Sequence, residues 1–278
     1  QRIMTINDYV RGIWSENNKV FKLSNIRGKI NHRWIDKSFS ELPDSEQRKI
    51  KTSTIHAIIF EQKTPNENDT SLFQIFERIN TSGRSLLPQE IRNCVYQGKL
   101  NSLLFELNLN TKWRTLFGND NEDQRMRDLE YILRFFALNT EFVFSNPKSS
   151  ITLKKYLNEF MGDKSNNAES QIELHRKEFT LCINSIYENI GENAFYNVQS
   201  NDLATIRKRF YPPIYDAVMI ATSKAKAMGL DLSTASEEKR INLLKDASFR
   251  KYISEGTMQT EHINGRINLA LKYLYNYE

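Results

Sequence analysis

The sequence predicts an α+β protein in which a mixed N-terminal region is followed by a predominantly α-helical bundle. Three observations carry this. Two short runs rich in β-branched and aromatic residues lie near the start, at 20–26 (Val20, Phe21, Leu23, Ile26) and at 54–62 (Ile55, Ile58, Ile59, Phe60); bounded by polar segments, both read as strands. From Asp69 onward, apolar residues recur almost only at helical intervals. Polar stretches at 139–150, 162–170 and 227–238 punctuate that remainder as loops, with Gly162–Asn167 the most flexible.

Between the two strands, Leu42-Pro43-Asp44-Ser45-Glu46-Gln47-Arg48-Lys49-Ile50 predicts a short helix capped near Asp44. Leu72, Ile75, Phe76 and Ile79 follow the i, i+3, i+4, i+7 rule, as do Leu129, Ile132, Leu133 and Phe136, while Ile263, Ile267, Leu271 and Leu274 repeat at intervals of four and three. The helix over 126–139 carries a further apolar set, Tyr131, Phe135 and Leu138, so it belongs at the centre of the bundle. Pro212-Pro213 opens another helix, with Ile214, Val218 and Ala221 on one side and Tyr215 and Met219 beside them.

A chain of 278 residues with 39% hydrophobic residues can bury a sizeable core and fits one or two domains. The net charge of +5 comes from 39 basic against 34 acidic residues, both signs interspersed, which permits a nucleic-acid partner without requiring one. Cys94 and Cys182 sit among apolar residues at helical spacing and read as reduced, buried thiols of a cytoplasmic protein. No run approaches the roughly 18 apolar residues of a membrane helix, so no membrane partner is expected.

The most informative stretch is Phe76-Glu77-Arg78-Ile79-Asn80-Thr81-Ser82-Gly83-Arg84, followed by Pro88-Gln89-Glu90-Ile91-Arg92-Asn93. One helix ends in a polar turn broken by glycine and a second starts at a proline, gathering polar side chains and free backbone groups at a corner that can hold an anion. The pattern F-E-R-I-N-T-S-G-R-x-L-x-x-Q-E-I-R-N resembles the signature of the GmrSD restriction endonuclease N-terminal domain family, a ParB/sulfiredoxin-like domain of bacterial anti-phage restriction systems. Gln1-Arg2-Ile3-Met4-Thr5 looks like the end of that family's other signature, D-G-Q-Q-R-(L/I)-x-T. The likeness continues through Arg127–Phe135 and more faintly to Arg266.

The resemblance implies that residues 1–120 form the C-terminal part of a ParB/sulfiredoxin-like nucleotide-binding domain and 121–278 a helical domain. It implies that the acid, the glycine and the first glutamine of the second signature lie upstream of Gln1, making this chain the remainder of a longer protein. It further implies a component of a modification-dependent DNA restriction system that binds and hydrolyses a nucleoside triphosphate, GTP or ATP, with Mg²⁺. Gln1 and Arg2 are then catalytic: a guanidinium fork matches a phosphate, and a glutamine can orient an attacking water. A fragment without the upstream acid is expected to be inactive.

Asn80, Thr81, Ser82, Gly83 and Arg84 supply the phosphate cradle, or form an ordinary helix C-cap. Glu77 can bind a cation or accept a proton, or pair with Arg78, Arg84 or Arg92. Leu87 stands where relatives often have a polar cap, whose loss costs about 1 kcal/mol. Glu90, Arg92 and Asn93 cannot all face the core occupied by Ile91, Cys94 and Val95, which leaves Arg92 to close the pocket and Glu90 to serve structure. Glu130 and Arg134 have the favourable i, i+4 order for a pair, leaving Arg127 to reach a shared polar site.

Basic clusters at Arg48-Lys49-Lys51 and Arg207-Lys208-Arg209, the latter beside Phe210 and Tyr211, suit phosphates and a stacked base, or are solvated helix ends. His32, His56, His175 and His262 are too dispersed for a zinc site or an H-N-H nuclease motif, and no P-loop, G-x-S-x-G or Cys-His signature is present. The competing expectation is therefore a non-catalytic helical module that binds DNA or a partner nuclease.

Overall fold

The computed structural model describes residues 2–14, 19–24, 31–55, 71–79, 85–146, 149–199, 202 and 205–277. The fold is broadly α+β, mostly helical with a few small antiparallel strands, and its contacts group into two units, Gln1–Glu61 and Gln62–Glu278.

In the smaller unit, α1 (Arg2–Arg11) leads into β1 (Ile13–Trp14), which pairs antiparallel with β2 (Lys19–Val20). Tyr9, Phe39 and Leu42 form its buried centre, with the Tyr9 ring meeting Phe21 and Phe39 edge-on at 5.3 and 5.9 Å. Of the strand expected at 20–26, the described residues place Val20 in β2 and leave 21–24 without regular structure, and 25 and 26 lie outside the described residues. Beyond Val20 the chain bonds to a turn instead of a strand, since Leu23 N–H donates to Lys37 O and Asp36 N–H donates to Leu23 O. The second expected strand lies, from residue 56, outside the described residues. The helix between them is α2 (Asp44–Thr52): Asp44 and Glu46 sit in its first turn, where the helix dipole favours carboxylates, while Pro43 occupies the cap position without a side-chain bond.

The larger unit contains α3 (Ser71–Ile79), α4 (Pro88–Val95), α5 (Lys99–Asn108), α6 (Thr111–Phe117), α7 (Arg127–Leu138), α8 (Glu141–Ser145), α9 (Leu153–Gly162) and α10 (Glu169–Asn189). The hairpin β3 (Tyr196–Val198) with β4 (Ile206–Phe210) follows, then α11 (Pro212–Ala227), α12 (Glu237–Lys245), α13 (Ala247–Ser254) and α14 (Thr260–Tyr275). All three stretches read as loops carry helical turns, α8 within 139–150, a 3-10 turn at Lys164–Asn167 capped by Asp163, and another at Leu232–Thr234 capped by Asp231. The division expected at residue 120 falls inside the larger unit. Arg114 on α6 donates to Asp128 on α7 at 2.7 Å and to the carbonyl of Asn119 at 2.9 Å, stitching both sides of that loop together.

At the centre lie α7, as its all-round apolar pattern predicts, and α11, buried at every position from Ile214 to Ser223. The one acid in that stretch, Asp216, is held by two arginines. Arg134 Nε and Nη2 donate to its two oxygens at 2.7 and 2.6 Å, and Arg266 Nη2 on α14 donates at 2.8 Å. The expected Glu130–Arg134 pair does not form, because Asp216 offers Arg134 a bidentate partner inside the core and Glu130 turns to Arg92 instead. Burial pushes the Arg266 guanidinium down to about 10, helped by the like charge of Arg134 and opposed by Asp216, so it stays charged at neutral pH.

Cys182 is buried as expected, but Cys94 is exposed: α4 turns Gln89, Glu90, Ile91, Arg92 and Asn93 inward, which leaves Cys94 outside. His175 on α10 stacks on Phe136 with ring centroids 4.3 Å apart, and its Nδ1 has no partner. Burial lowers its pKa to about 4. Between pH 6.5 and about 4 the unfolded chain therefore holds a proton that the folded chain does not, so stability is full above pH 6.5 and falls as the pH drops towards 4.

Two outcomes follow. Asp216→Ala should lower the unfolding free energy by about 3–5 kcal/mol in urea titrations, because two guanidiniums lose their buried partner. The wild type should lose about 2–3 kcal/mol more than His175→Leu between pH 7 and pH 4.5, measured by the same titrations.

Candidate functional site

The helices that flank the glycine corner are where the sequence puts them: α3 ends at Ile79 and α4 begins at Pro88. Gln1, the side chain of Arg2, and the predicted cradle Asn80, Thr81, Ser82, Gly83 and Arg84 lie outside the described residues.

Glu77, in the last turn of α3, pairs with neither Arg78 nor Arg92, and its third expected partner, Arg84, lies outside the described residues; its carboxylate receives Lys154 Nζ of α9 at 2.5 and 2.7 Å. The pair is half exposed and contributes at most about 1 kcal/mol. On the far side of the corner, Leu87 supplies no cap. Glu90 takes over that role, its Oε2 accepting Leu87 N–H at 2.7 Å and Arg125 Nε at 2.9 Å. Arg125 Nη2 donates to Ser85 O at 2.8 Å, so one side chain holds both the approach to α4 and its first turn. The structural role expected of Glu90 is what it performs.

Arg92 is buried in place of closing an open pocket. Its Nε donates to Asn158 Oδ1 of α9 at 2.8 Å, and Nη1 donates to Gln89 Oε1 at 2.9 Å and to Glu130 Oε2 of α7 at 3.0 Å. Burial lowers its pKa and the Glu130 carboxylate opposes the shift. Gln89 Nε2 continues the network to Asn93 Oδ1 at 2.9 Å. The expectation that Glu90, Arg92 and Asn93 could not all turn inward fails, because α7 and α9 offer polar partners that make this helix face a buried hydrogen-bonded surface. Arg127 stays away from that network. It is 63% exposed and pairs with Asp123, with Nη2 to Oδ2 at 2.5 Å, since the left-handed Met126 (φ 58) starts α7 with the Arg127 side chain outward.

The arrangement works as a brace: α3 is tied to α9, and α4 to α7, α9 and the loop that carries Arg125. Glu77 and Glu90, the described carboxylates beside the corner, are each engaged by a cation. Among the described residues no group of three or more His, Cys, Asp or Glu stands ready for a metal ion.

Arg207, Lys208 and Arg209 lie on strand β4, not at a helix end, and all three are exposed. The ladder is irregular there: Tyr196 pairs with Phe210 but Asn197 pairs with Arg207, so Lys208 and Arg209 bulge out of register. Lys208 lines a cleft of about 270 Å³ with Thr115, Asn119, Asp120, Glu192 and Tyr196. The neighbouring aromatics are half-buried. Phe210 packs against Trp113, Phe117, Tyr131, Phe195 and Tyr215, and Tyr211 Oη donates to Ile253 O at 3.3 Å.

Sequence reasoning missed Arg125, Lys154 and Asn158, whose partners stand 35 to 77 residues away and leave no local pattern. Asp216 and Arg266 did carry a signal, each being a lone charge inside an apolar helical run. Comparison with protein-family models, curated proteins and solved structures found no match. No described helix is long and apolar enough to cross a membrane.

The two arginines expected at one ligand should separate in stability measurements. Arg92→Ala should cost about 3–5 kcal/mol in chemical denaturation, as it strands buried Asn158 and Gln89 and half-buried Glu130, whereas Arg127→Ala should cost less than about 1 kcal/mol.

Proposed function

We propose that this chain belongs to a cytoplasmic component of a bacterial anti-phage, modification-dependent restriction system that binds and hydrolyses a nucleoside triphosphate. The ParB/sulfiredoxin-like character of its first part belongs to the same proposal. The observation that carries it is the F-E-R-I-N-T-S-G-R to P-Q-E-I-R-N segment, read with the braces on either side: Lys154 on Glu77 before the corner, and Arg125 on Glu90 and Ser85 after it. A phosphate site gains affinity when the backbone that presents its donors is held in advance, and these contacts hold the two flanking helices. In this reading Asn80–Arg84 receive the phosphates and Arg92 is a positioning residue through α4, while Gln1 and Arg2 keep the catalytic role that the resemblance implies.

Isothermal titration with GTP and ATP, with and without Mg²⁺, together with a phosphate-release assay, tests it. Binding is expected for one nucleotide and should weaken at least about tenfold in Arg84→Ala, the loss of a charged hydrogen bond, with an unchanged melting midpoint. Heat from neither nucleotide would overturn the proposal.

A second reading, a non-catalytic helical module that binds DNA or a partner nuclease, is favoured by the three consecutive exposed cations of β4. Salt-dependent DNA binding that persists in an Arg2→Ala, Asn80→Ala double variant supports it over the first.

A further inference from the structure

We infer that β4 and α13 together form one docking surface for the phosphate backbone of duplex nucleic acid, with Arg207, Arg209, Arg250 and Lys251 as its contacts. The inference rests on the second reading above and extends it to a helix that the sequence did not connect with the basic triplet.

The connection is structural. Tyr211, which directly follows β4, donates its hydroxyl to the carbonyl of Ile253 in the last turn of α13. That bond brings the end of the strand to within a helical turn of Arg250 and Lys251, about 5 Å along the helix. Phe249 and Ile253 are buried, which leaves Arg250 and Lys251 on the open side of α13, and both are exposed. None of the four cations forms an ion pair with a described carboxylate. Lys99, Lys112, Lys154 and Arg176 on other helices behave differently, each sitting on a glutamate, although Lys226, Lys245 and Lys272 are likewise free of an ion pair with a described carboxylate. Lys208 is left out, because it lines the cleft that also holds Asp120 and Glu192, where a phosphate would meet two like charges.

Charge complementarity and shape select the partner. Three of the four groups are guanidiniums, whose planar forks match phosphate oxygens. Arg207 and Arg209 lie two residues apart on the bulged stretch of β4. Phe210 and Tyr211 are half-buried and engaged by Tyr131 and by the carbonyl of Ile253, so the exposed groups are the cations and the contact falls on the backbone, independent of sequence. An anionic membrane is the poorer fit. None of the large apolar residues exposed on the described surface lies on β3, β4 or α13, and membrane-surface elements add apolar insertion to their charge.

Fluorescence anisotropy with a labelled 20-base-pair duplex across a salt series tests the surface on the full chain. Arg207→Glu/Arg209→Glu and Arg250→Glu/Lys251→Glu should each weaken binding at least about tenfold at low salt and make the slope of log K against log salt shallower by about 1.8, two phosphates at roughly 0.9 each. The melting midpoints should stay unchanged. Lys155→Glu/Lys177→Glu, the same change in net charge on other helices, should leave the slope in place. If only the β4 pair matters, the joint surface is overturned while the second reading stands; if the wild type binds no duplex at low salt, both fall. Equal losses in the Lys155/Lys177 control, at least tenfold tighter binding to single strands, or binding only to vesicles containing phosphatidylserine would each overturn the inference.

Discussion

Asp216 is the residue on which the helical unit depends. It sits fully buried in a helix with no solvent-facing side and is reached by Arg134 from α7 and Arg266 from α14. A carboxylate alone at such a place would cost several kcal/mol or pick up a proton. With two guanidiniums it becomes a joint that only one arrangement of α7, α11 and α14 can satisfy. Such a joint does not add more stability than apolar packing of equal volume. Its effect here is on geometry, since a shift of α14 by one residue would part Arg266 from Asp216 and leave both charges buried.

The same device recurs at smaller scale. Arg114 closes the loop after α6 onto Asp128, Arg92 ties α4 to α7 and α9, Arg125 clamps the start of α4, and Arg240 joins Glu237 to the carbonyl of Tyr196 on β3. In each case the fork geometry of arginine lets one side chain serve two or three acceptors on separate elements, which a lysine cannot do with the same fixed directions. The helices on either side of residues 80–84 and the basic hairpin are therefore both tied to neighbouring elements by such forks.

Much of the fold was legible from spacing. The helical stripes at Leu72–Ile79, Leu129–Phe136 and Ile263–Leu274, and the proline starts at Pro88 and Pro212, locate helices that the structure contains, because burial of one face imposes its period on the sequence. The β3–β4 hairpin was not legible. Its strands of three and five residues are too short to show a period, and its cations mimic a solvated helix end. At the candidate site, Glu90 as a structural acid was readable from its place three residues after the cap. The burial of Arg92 and the exposure of Arg127 were not readable, because sequence shows which residues can hydrogen-bond but not that α9 would bring Asn158 to meet Arg92.

The order of the charges along the chain also sets a schedule for synthesis. Arg134 and Asp216 are separated by 82 residues, and Arg266 follows Asp216 by 50. On a ribosome adding roughly 5–20 residues per second, the third partner emerges about 2.5–10 s after the acid. During that interval α7 and α11 can already neutralise one another, but the side of α11 that later receives α14, including Thr222 opposite Tyr275, remains bare. The nascent polypeptide thus presents a long greasy helix before its cover exists, the kind of surface that holdase chaperones shield.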